Sequence, residues 1–124
     1  VLNNINLYKN SNDYYNSIID KVNKMNKIMN DLKDKKFYIW PTSMHISPLL
    51  TLGLNVEKIN GVLDNSPNKL NKFLYGYKLK CYSFNDLLEF GDENNIIFIG
   101  GAGNYINEIK YKKTNVKLIF LSEI

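Results

Sequence analysis

Three polar residues follow the first long apolar run of the sequence, and their side chains could bind a ligand. The run is Phe37–Trp40, and Pro41 ends it because proline has no backbone N–H to donate to a β-sheet. Thr42, Ser43 and His45 come next, with two hydroxyl groups and the single imidazole of the chain. At the carboxyl end of a parallel strand, such groups open onto a ligand-binding crevice. His45 is also the candidate general base of a self-sufficient enzyme, although a lone histidine beside an apolar helix is more often structural.

A glycine-rich segment follows a second unbroken apolar run, Ile96–Ile99. The segment Gly100–Tyr105 has three glycines in its first four positions, and glycine allows positive φ angles and close approach of the backbone to a ligand. A helix after it, through about Lys112, would add free N–H groups that favour anions. The pattern is not G-x-G-x-x-G and follows the fourth predicted strand instead of the first, so it is weak evidence for NAD or FAD binding. A tight strand-to-helix turn that binds no ligand is the alternative to an anion site. The candidate ligand residues here are Gly101, Asn104, Tyr105 and Glu108. The ring of Tyr105 could stack on a base or sugar ring. Glu108 could equally be a structural acid near the positive end of a helix.

An acid and an amide follow a further predicted strand, Ile59–Leu63. Asp64 lies 21 residues beyond Ser43, close to the spacing at which an acid accepts hydrogen bonds from sugar hydroxyls in Rossmann-type units. We therefore predict that Asp64 and Asn65 bind hydroxyl groups; an Asx turn without any ligand is the alternative. In the loop after them, Lys72 is the candidate partner of a diphosphate, although such lysines are more often solvated.

One amphipathic helix precedes these strands. Between Asn12 and Lys35 the apolar residues recur every three or four positions, which predicts a helix with a single apolar stripe from Tyr15 to Leu32. The stripe is interpreted as covering the domain's own sheet, and docking onto a neighbouring domain or a coiled coil is the alternative. Residues 1–12 are polar and asparagine-rich, and we predict that they form a tail or linker. The chain starts with Val-Leu, which indicates a piece of a longer protein.

Shorter local signals complete an α/β pattern. Gly53 ends a predicted helix over Pro48–Leu52, and Ser83 caps a helix that runs through Phe90 to Gly91. Two more strands are predicted, over Leu79–Tyr82 and Val116–Leu121. With right-handed crossovers, the five strands form a Rossmann-like, doubly wound parallel sheet of order 3-2-1-4-5 over residues 36–124, joined to the helix of residues 13–35 in one folded domain. The loops after the first and fourth strands then form the two sides of one crevice.

Composition excludes several classes of function. The chain has 124 residues and a formal charge of +4, but every positive charge is a lysine, and the absence of arginine disfavours nucleic-acid binding. A single cysteine excludes an internal disulfide and a cysteine-rich zinc site, and with a single histidine as well, a metal site would have to rest on carboxylates. No apolar run approaches the ~20 residues that cross a membrane, and no signal peptide is present, so a cytoplasmic location is expected.

Several segments in series resemble the C-terminal domain of the sugar C-methyltransferase family. They are Phe37–Trp40, Gly61–Ser66, Lys72–Gly76 and, as the most specific part, Asn104–Ile109 within Gly101–Ile109. The resemblance covers about residues 31–124. A weaker resemblance connects the chain to the N-terminal nucleotide-sugar-binding domain of bacterial sugar acyltransferases. Both families usually have glycines where this chain has Pro41–Met44, so the hydroxyls of that loop would have to replace backbone contacts to phosphate.

The resemblance implies a substrate-binding domain rather than a complete enzyme. In C-methyltransferases, S-adenosylmethionine acts in a preceding domain that this chain does not contain, and the C-terminal domain helps to hold the nucleotide-diphosphate sugar. It therefore implies no catalytic residue and no cofactor in this chain. Its partners would be the nucleotide sugar and the other domains of the parent enzyme, and the Tyr15–Leu32 stripe would contact those domains in the alternative in which it does not cover the domain's own sheet. The alternatives are the acyltransferase domain and a non-catalytic docking domain.

Overall fold

The protein forms a five-stranded parallel sheet with helices on both faces. The computed structural model describes residues 2–40, 46–66, 68, 70–73, 79–100, 109–110 and 113–124, and the side chains of these apart from residues 2–12, 46 and 47. Its strands are β1 (Lys36–Trp40), β2 (Ile59–Asp64), β3 (Cys81–Ser83), β4 (Asn95–Ile99) and β5 (Lys117–Phe120). The order in space is β3-β2-β1-β4-β5, and every neighbouring pair is parallel. The predicted Rossmann-like topology is therefore confirmed.

Helices α1 (Leu2–Asp31) and α2 (Ile46–Thr51) lie on one face of the sheet. Val22, Met25 and Met29 of α1 are at most 2% exposed, and they pack against apolar side chains of β1 and β4. Consecutive residues of these strands are buried on opposite faces, as expected for strands that are covered on both sides. This packing confirms that most of the apolar stripe of α1 covers the domain's own sheet.

The opposite face carries helix α3 (Phe84–Phe90). Ser83 caps this helix, because its hydroxyl accepts a hydrogen bond from the backbone N–H of Asp86 at 3.2 Å. At the other end, the N–H of Gly91 donates to the carbonyl of Leu87 at 2.8 Å. The predicted start and end of α3 are thus confirmed, and Phe84 stacks on Trp40 of β1 with ring centroids 4.5 Å apart.

The start of α1 differs from the sequence-based prediction. The helix includes residues 2–12, which we had assigned to a polar tail or linker, and it ends at Asp31 instead of near Lys35. The physical reason is that no proline or glycine occurs in this part of the chain, so nothing stops the helix from extending beyond Asn12. Of the predicted stripe, Tyr15 is 53% exposed and so belongs to the surface.

Smaller differences affect α2, β3 and the chain ends. Helix α2 begins at Ile46, before the predicted Pro48, and ends ahead of Gly53, whose φ of 105° suits glycine alone. Strand β3 begins at Cys81 rather than Leu79, and the preceding Lys80 forms an isolated antiparallel bridge with Phe73. Two short 3-10 helices, Val56–Lys58 and Leu121–Glu123, were not predicted. Of the helix expected before Lys112, the described part is helical at residues 109 and 110.

One amide side chain connects α1 to the loop that follows α2. Asn26 donates to the carbonyl of Gly53 at 3.0 Å and accepts from the N–H of Asn55 at 2.9 Å. We expect Asn26→Ala to lower the free energy of unfolding by about 1–3 kcal/mol, since each bond contributes ~0.5–1.5 kcal/mol. Urea denaturation followed by circular dichroism would measure this. Asn23→Ala, at an exposed position on the same helix, is the matched control, and equal effects of the two would contradict the role of Asn26.

Candidate functional site: the carboxyl edge of the sheet

The carboxyl ends of β1 and β4 lie side by side in the middle of the sheet. Trp40 pairs with Ile99, and the N–H of Gly100 donates to the carbonyl of Trp40 at 3.0 Å. The connection after β1 leads to α2, whose Leu49 packs with α1, whereas the connection after β4 leads to Ile109 on the other face. The chain therefore leaves these two neighbouring strands toward opposite faces, which is the switch point where open α/β sheets bind ligands.

A cavity of about 340 Å³ lies at this edge, on the face covered by α1. Ile99 and Gly100 line it at the end of β4, Leu121 and Ser122 follow β5, and Pro48 and Leu49 come from α2. Helix α1 lines it with Tyr14, Ser17, Ile18 and Lys21. The volume is at the lower end of the range of small-molecule sites, about 300–1,000 Å³.

The polar groups of this cavity, which we call the switch-point cavity, suit an anion that carries hydroxyl groups. Among the described residues that line it, Lys21 supplies the only charged side chain, and Tyr14, Ser17 and Ser122 supply three hydroxyls. The neighbouring Lys24 is already paired with Asp20, at 2.9 Å between Nζ and Oδ2. An ammonium group beside an apolar wall attracts phosphate or carboxylate more strongly than one in open water, because the lower dielectric weakens screening.

Gly100 has a packing role in this cavity. A Cβ atom at position 100 would lie 3.1 Å from Cδ1 of Leu121, closer than most such contacts. Close approach of the two strand ends therefore accounts for glycine here, whereas Gly53 is the glycine with a positive φ among those described. The expected backbone freedom of Gly101 concerns a residue outside the described part of the chain.

Asp64 and Asn65 lie at the same carboxyl edge, at the end of β2, where local hydrogen bonds engage both. Oδ1 of Asp64 accepts from the N–H of Ser66 at 2.9 Å, which is the Asx turn that we considered as the alternative. Oδ1 of Asn65 accepts from the N–H of Asn85 in the first turn of α3 at 3.1 Å. Both residues thus have structural roles, and their binding of sugar hydroxyls stays a prediction.

Lys72 is not brought to the switch point. Its carbonyl accepts from the N–H of Cys81 at 2.8 Å, while Asn71 donates to the carbonyl of Cys81 at 2.9 Å. These bonds place Lys72 along the outer edge of β3, three strand spacings from β1, or about 14 Å. Its exposed side chain is too far away to share a phosphate with the cavity, and Lys21 is the lysine found there instead.

The other predicted site residues lie outside the described part of the chain. They are Thr42, Ser43 and His45 after β1, and Gly101, Asn104, Tyr105 and Glu108 after β4. Their neighbours Trp40 and Gly100 are in contact, so the two segments start from adjacent points of the carboxyl edge. Their ligand roles stay predictions.

Sequence reasoning missed the contribution of α1 to this edge. Tyr14, Ser17 and Lys21 recur at intervals of three and four, so they share one side of the helix next to the apolar stripe. This spacing is visible in the sequence, but polar residues beside an apolar stripe are usually just exposed to solvent. The sequence could not show that this border lies over the ends of β4 and β5.

Comparisons with known proteins return no match for this chain, whether with family models, curated proteins or solved structures. Within the described ranges, no three His, Cys, Asp or Glu side chains come together as a metal site requires. No helix in that part of the chain has the length and apolar character needed to cross a membrane.

Proposed function

We propose that this domain binds a nucleotide-diphosphate sugar at the carboxyl edge of its sheet, as the substrate-binding part of a sugar-modifying enzyme. The observation that carries the proposal is the cavity beside the switch point, in whose wall the described residues supply one lysine and three hydroxyls. A sugar phosphate has the matching chemistry, since it combines negative charge with several hydroxyl groups. The proposed parent enzyme is an S-adenosylmethionine-dependent sugar C-methyltransferase, on the basis of the resemblance in sequence.

In this proposal, Lys21 pairs with the diphosphate, and the hydroxyls of Ser17 and Ser122 bond to the phosphates or the sugar. A cavity of about 340 Å³ holds the sugar-phosphate part of the ligand rather than all of it. The remainder extends along the carboxyl edge, where Asp64 ends β2. The domain itself holds and orients the sugar, and transfer of the methyl group takes place in the other domain.

Substitution of Lys21 tests the assignment of the charged group. Calorimetric titration with UDP-glucose and dTDP-glucose should show binding that Lys21→Ala weakens by about 10- to 100-fold, because a hydrogen bond to a charged group contributes ~1.5–3 kcal/mol. Lys24→Ala removes the same charge from the same helix, but from a lysine that is paired with Asp20, and should change affinity little. Lys72→Ala should also change little.

Two results would contradict the proposal. The first is an absence of heat and of amide shifts for the wild-type domain at millimolar nucleotide sugar. The second is equal weakening by all three lysine substitutions, which would indicate non-specific attraction by the positive net charge. Glucose 1-phosphate and UMP, titrated separately, would show which part of the ligand contacts Lys21.

A further inference from the structure

A second cavity, of about 420 Å³, lies on the face of the sheet opposite α1, between β3 and α3. Tyr38 and Tyr82 form its wall on the side of the sheet, and Phe90 lines it from α3. Its polar side chains include Asn71, Asp86 and Asn95. The cavity runs from Ser83, the last residue of β3, to Asn95, the first residue of β4, and is separated from the switch-point cavity by the sheet itself.

Two tyrosine rings form an apolar corner in this cavity. The rings of Tyr38 and Tyr82 are perpendicular, with an interplanar angle of 88° and centroids 6.2 Å apart. Gly61 permits this arrangement, since a Cβ atom there would lie 2.6 Å from Cε2 of Tyr82. Tyr82 is 40% exposed and Phe90 is 78% exposed, so aromatic surface remains open to a ligand.

The polar groups around this corner are held in place by the backbone. Asn71 adopts a left-handed conformation with φ of 63°, which asparagine tolerates better than most residues, and its N–H is bonded to Cys81. Oδ1 of Asn95 accepts from the N–H of Asp92 at 2.9 Å, which fixes the orientation of this amide. Burial raises the pKa of Tyr38, with a further contribution from Tyr82, so the Tyr38 hydroxyl keeps its proton and can donate.

The charge of this cavity distinguishes its ligand from that of the first. Asp86 is the only charged side chain among the described residues that line it, and the ammonium of Lys80 lies over the ring of Tyr82, with Nζ 5.8 Å from the centroid. One negative and one positive group leave no excess positive charge to attract a phosphate. Aromatic faces beside a carboxylate and two amides suit a ring with apolar C–H faces and hydroxyl groups around its edge. We propose that this second cavity binds an uncharged glycosyl residue, stacked on Tyr82 and hydrogen-bonded to Asp86 and Asn71. The site is separate from the proposed nucleotide-sugar site and does not depend on it.

Nuclear magnetic resonance titration of the whole chain with neutral methyl glycosides tests this proposal. The probes are the methyl glycosides of glucose, galactose, mannose and N-acetylglucosamine. For a ligand of this size, we expect a Kd of order 1 mM for the preferred sugar. The amide signals of Tyr82, Asp86 and Asn95 should shift, and those of Ile99 and Gly100 should not. Absence of localised shifts at ~50 mM of every probe would overturn the proposal.

Aromatic substitutions give the second test. Tyr82→Leu should weaken binding of the preferred glycoside by roughly three- to tenfold, as expected for loss of ring stacking. Phe90→Ala should weaken it as well, and its exposed position makes misfolding a poor explanation. Phe73→Leu is the matched control, because Phe73 is 65% exposed and does not line the cavity. Equal effects of Tyr82→Leu and Phe73→Leu would overturn the assignment.

Two further titrations separate this site from other possibilities. Uracil, a flat uncharged ring that lacks the puckered C–H faces of a hexose, should bind more weakly than the preferred glycoside, and tighter binding of uracil would overturn the sugar assignment. Lys21→Ala should leave the glycoside titration unchanged, since Lys21 lines the other cavity. Failure of the nucleotide-sugar proposal would therefore be seen at Ile99 and Gly100, and failure of this one at Tyr82 and Asp86.

Discussion

Met25→Asp should leave the chain largely unfolded at 25 °C, which is the largest effect that we expect from a single substitution in α1. Met25 is 0% exposed and lies between α1 and the central strands of the sheet. A carboxylate at this place would lose its hydration without a partner, at a cost of several kcal/mol. A domain of this size has only about 5–15 kcal/mol of stability in total. Circular dichroism and the dispersion of amide signals would show the loss of structure.

The control for this substitution lies on the same predicted stripe. Tyr15→Asp introduces the same charge at a position that is 53% exposed, so we expect a change in the free energy of unfolding within ~0.5 kcal/mol. The pair of variants also tests how α1 is used. A folded Met25→Asp domain that had lost only its contacts with other domains would favour docking, and would contradict the packing of α1 on its own sheet.

Phe98→Ala should lower the free energy of unfolding by about 3–5 kcal/mol, the range for removal of a buried aromatic side chain. Phe98 is 0% exposed in the middle of β4, and its ring stacks with Phe37 of β1 at 5.8 Å between centroids. The sheet is close-packed at this point, so the cavity left behind could be refilled only in part. Urea denaturation would measure this, and an unchanged m-value would show that the substitution changed stability alone.

Phe73→Ala is the matched control for Phe98, since the same side chain is removed from a position that is 65% exposed. Its effect should stay within ~0.5 kcal/mol. A double-mutant cycle with Phe37→Ala should give a coupling energy of about 0.5–1.5 kcal/mol for the two stacked rings. Additive effects of the two substitutions would show that the rings contribute only through their separate burial.

Local patterns in the sequence were sufficient for the architecture of the sheet. Unbroken apolar runs such as Phe37–Trp40 and Ile96–Ile99 indicated strands buried on both faces, and such strands occur in parallel sheets. The order of the strands followed because crossover connections have a fixed hand. Ser83 and Gly91 marked the ends of α3 because capping depends on the residues next to the helix. These predictions succeeded because their causes lie within a few neighbouring residues.

The position of Lys72 depends on a contact that the local sequence pattern does not reveal. Phe73 pairs with Lys80 in an antiparallel bridge, and only the folded chain shows that this contact forms. The same contact carries Lys72 to the outer edge of β3, so a lysine that looked suitable for phosphate lies about 14 Å from β1. A residue's type indicated its chemistry, but its type could not indicate its position in space.

The sequence by itself therefore determined the strands, the main helices and the order in which five parallel strands must lie. The tertiary structure decided which side chains share a cavity. Lys21 and Ser122 meet at the end of the sheet across about a hundred residues, and Tyr38 meets Tyr82 only because Gly61 leaves room between them. The physical reason is that apolar periodicity specifies which face of an element is buried, whereas the placement of one element over another depends on how all the buried surfaces pack at once.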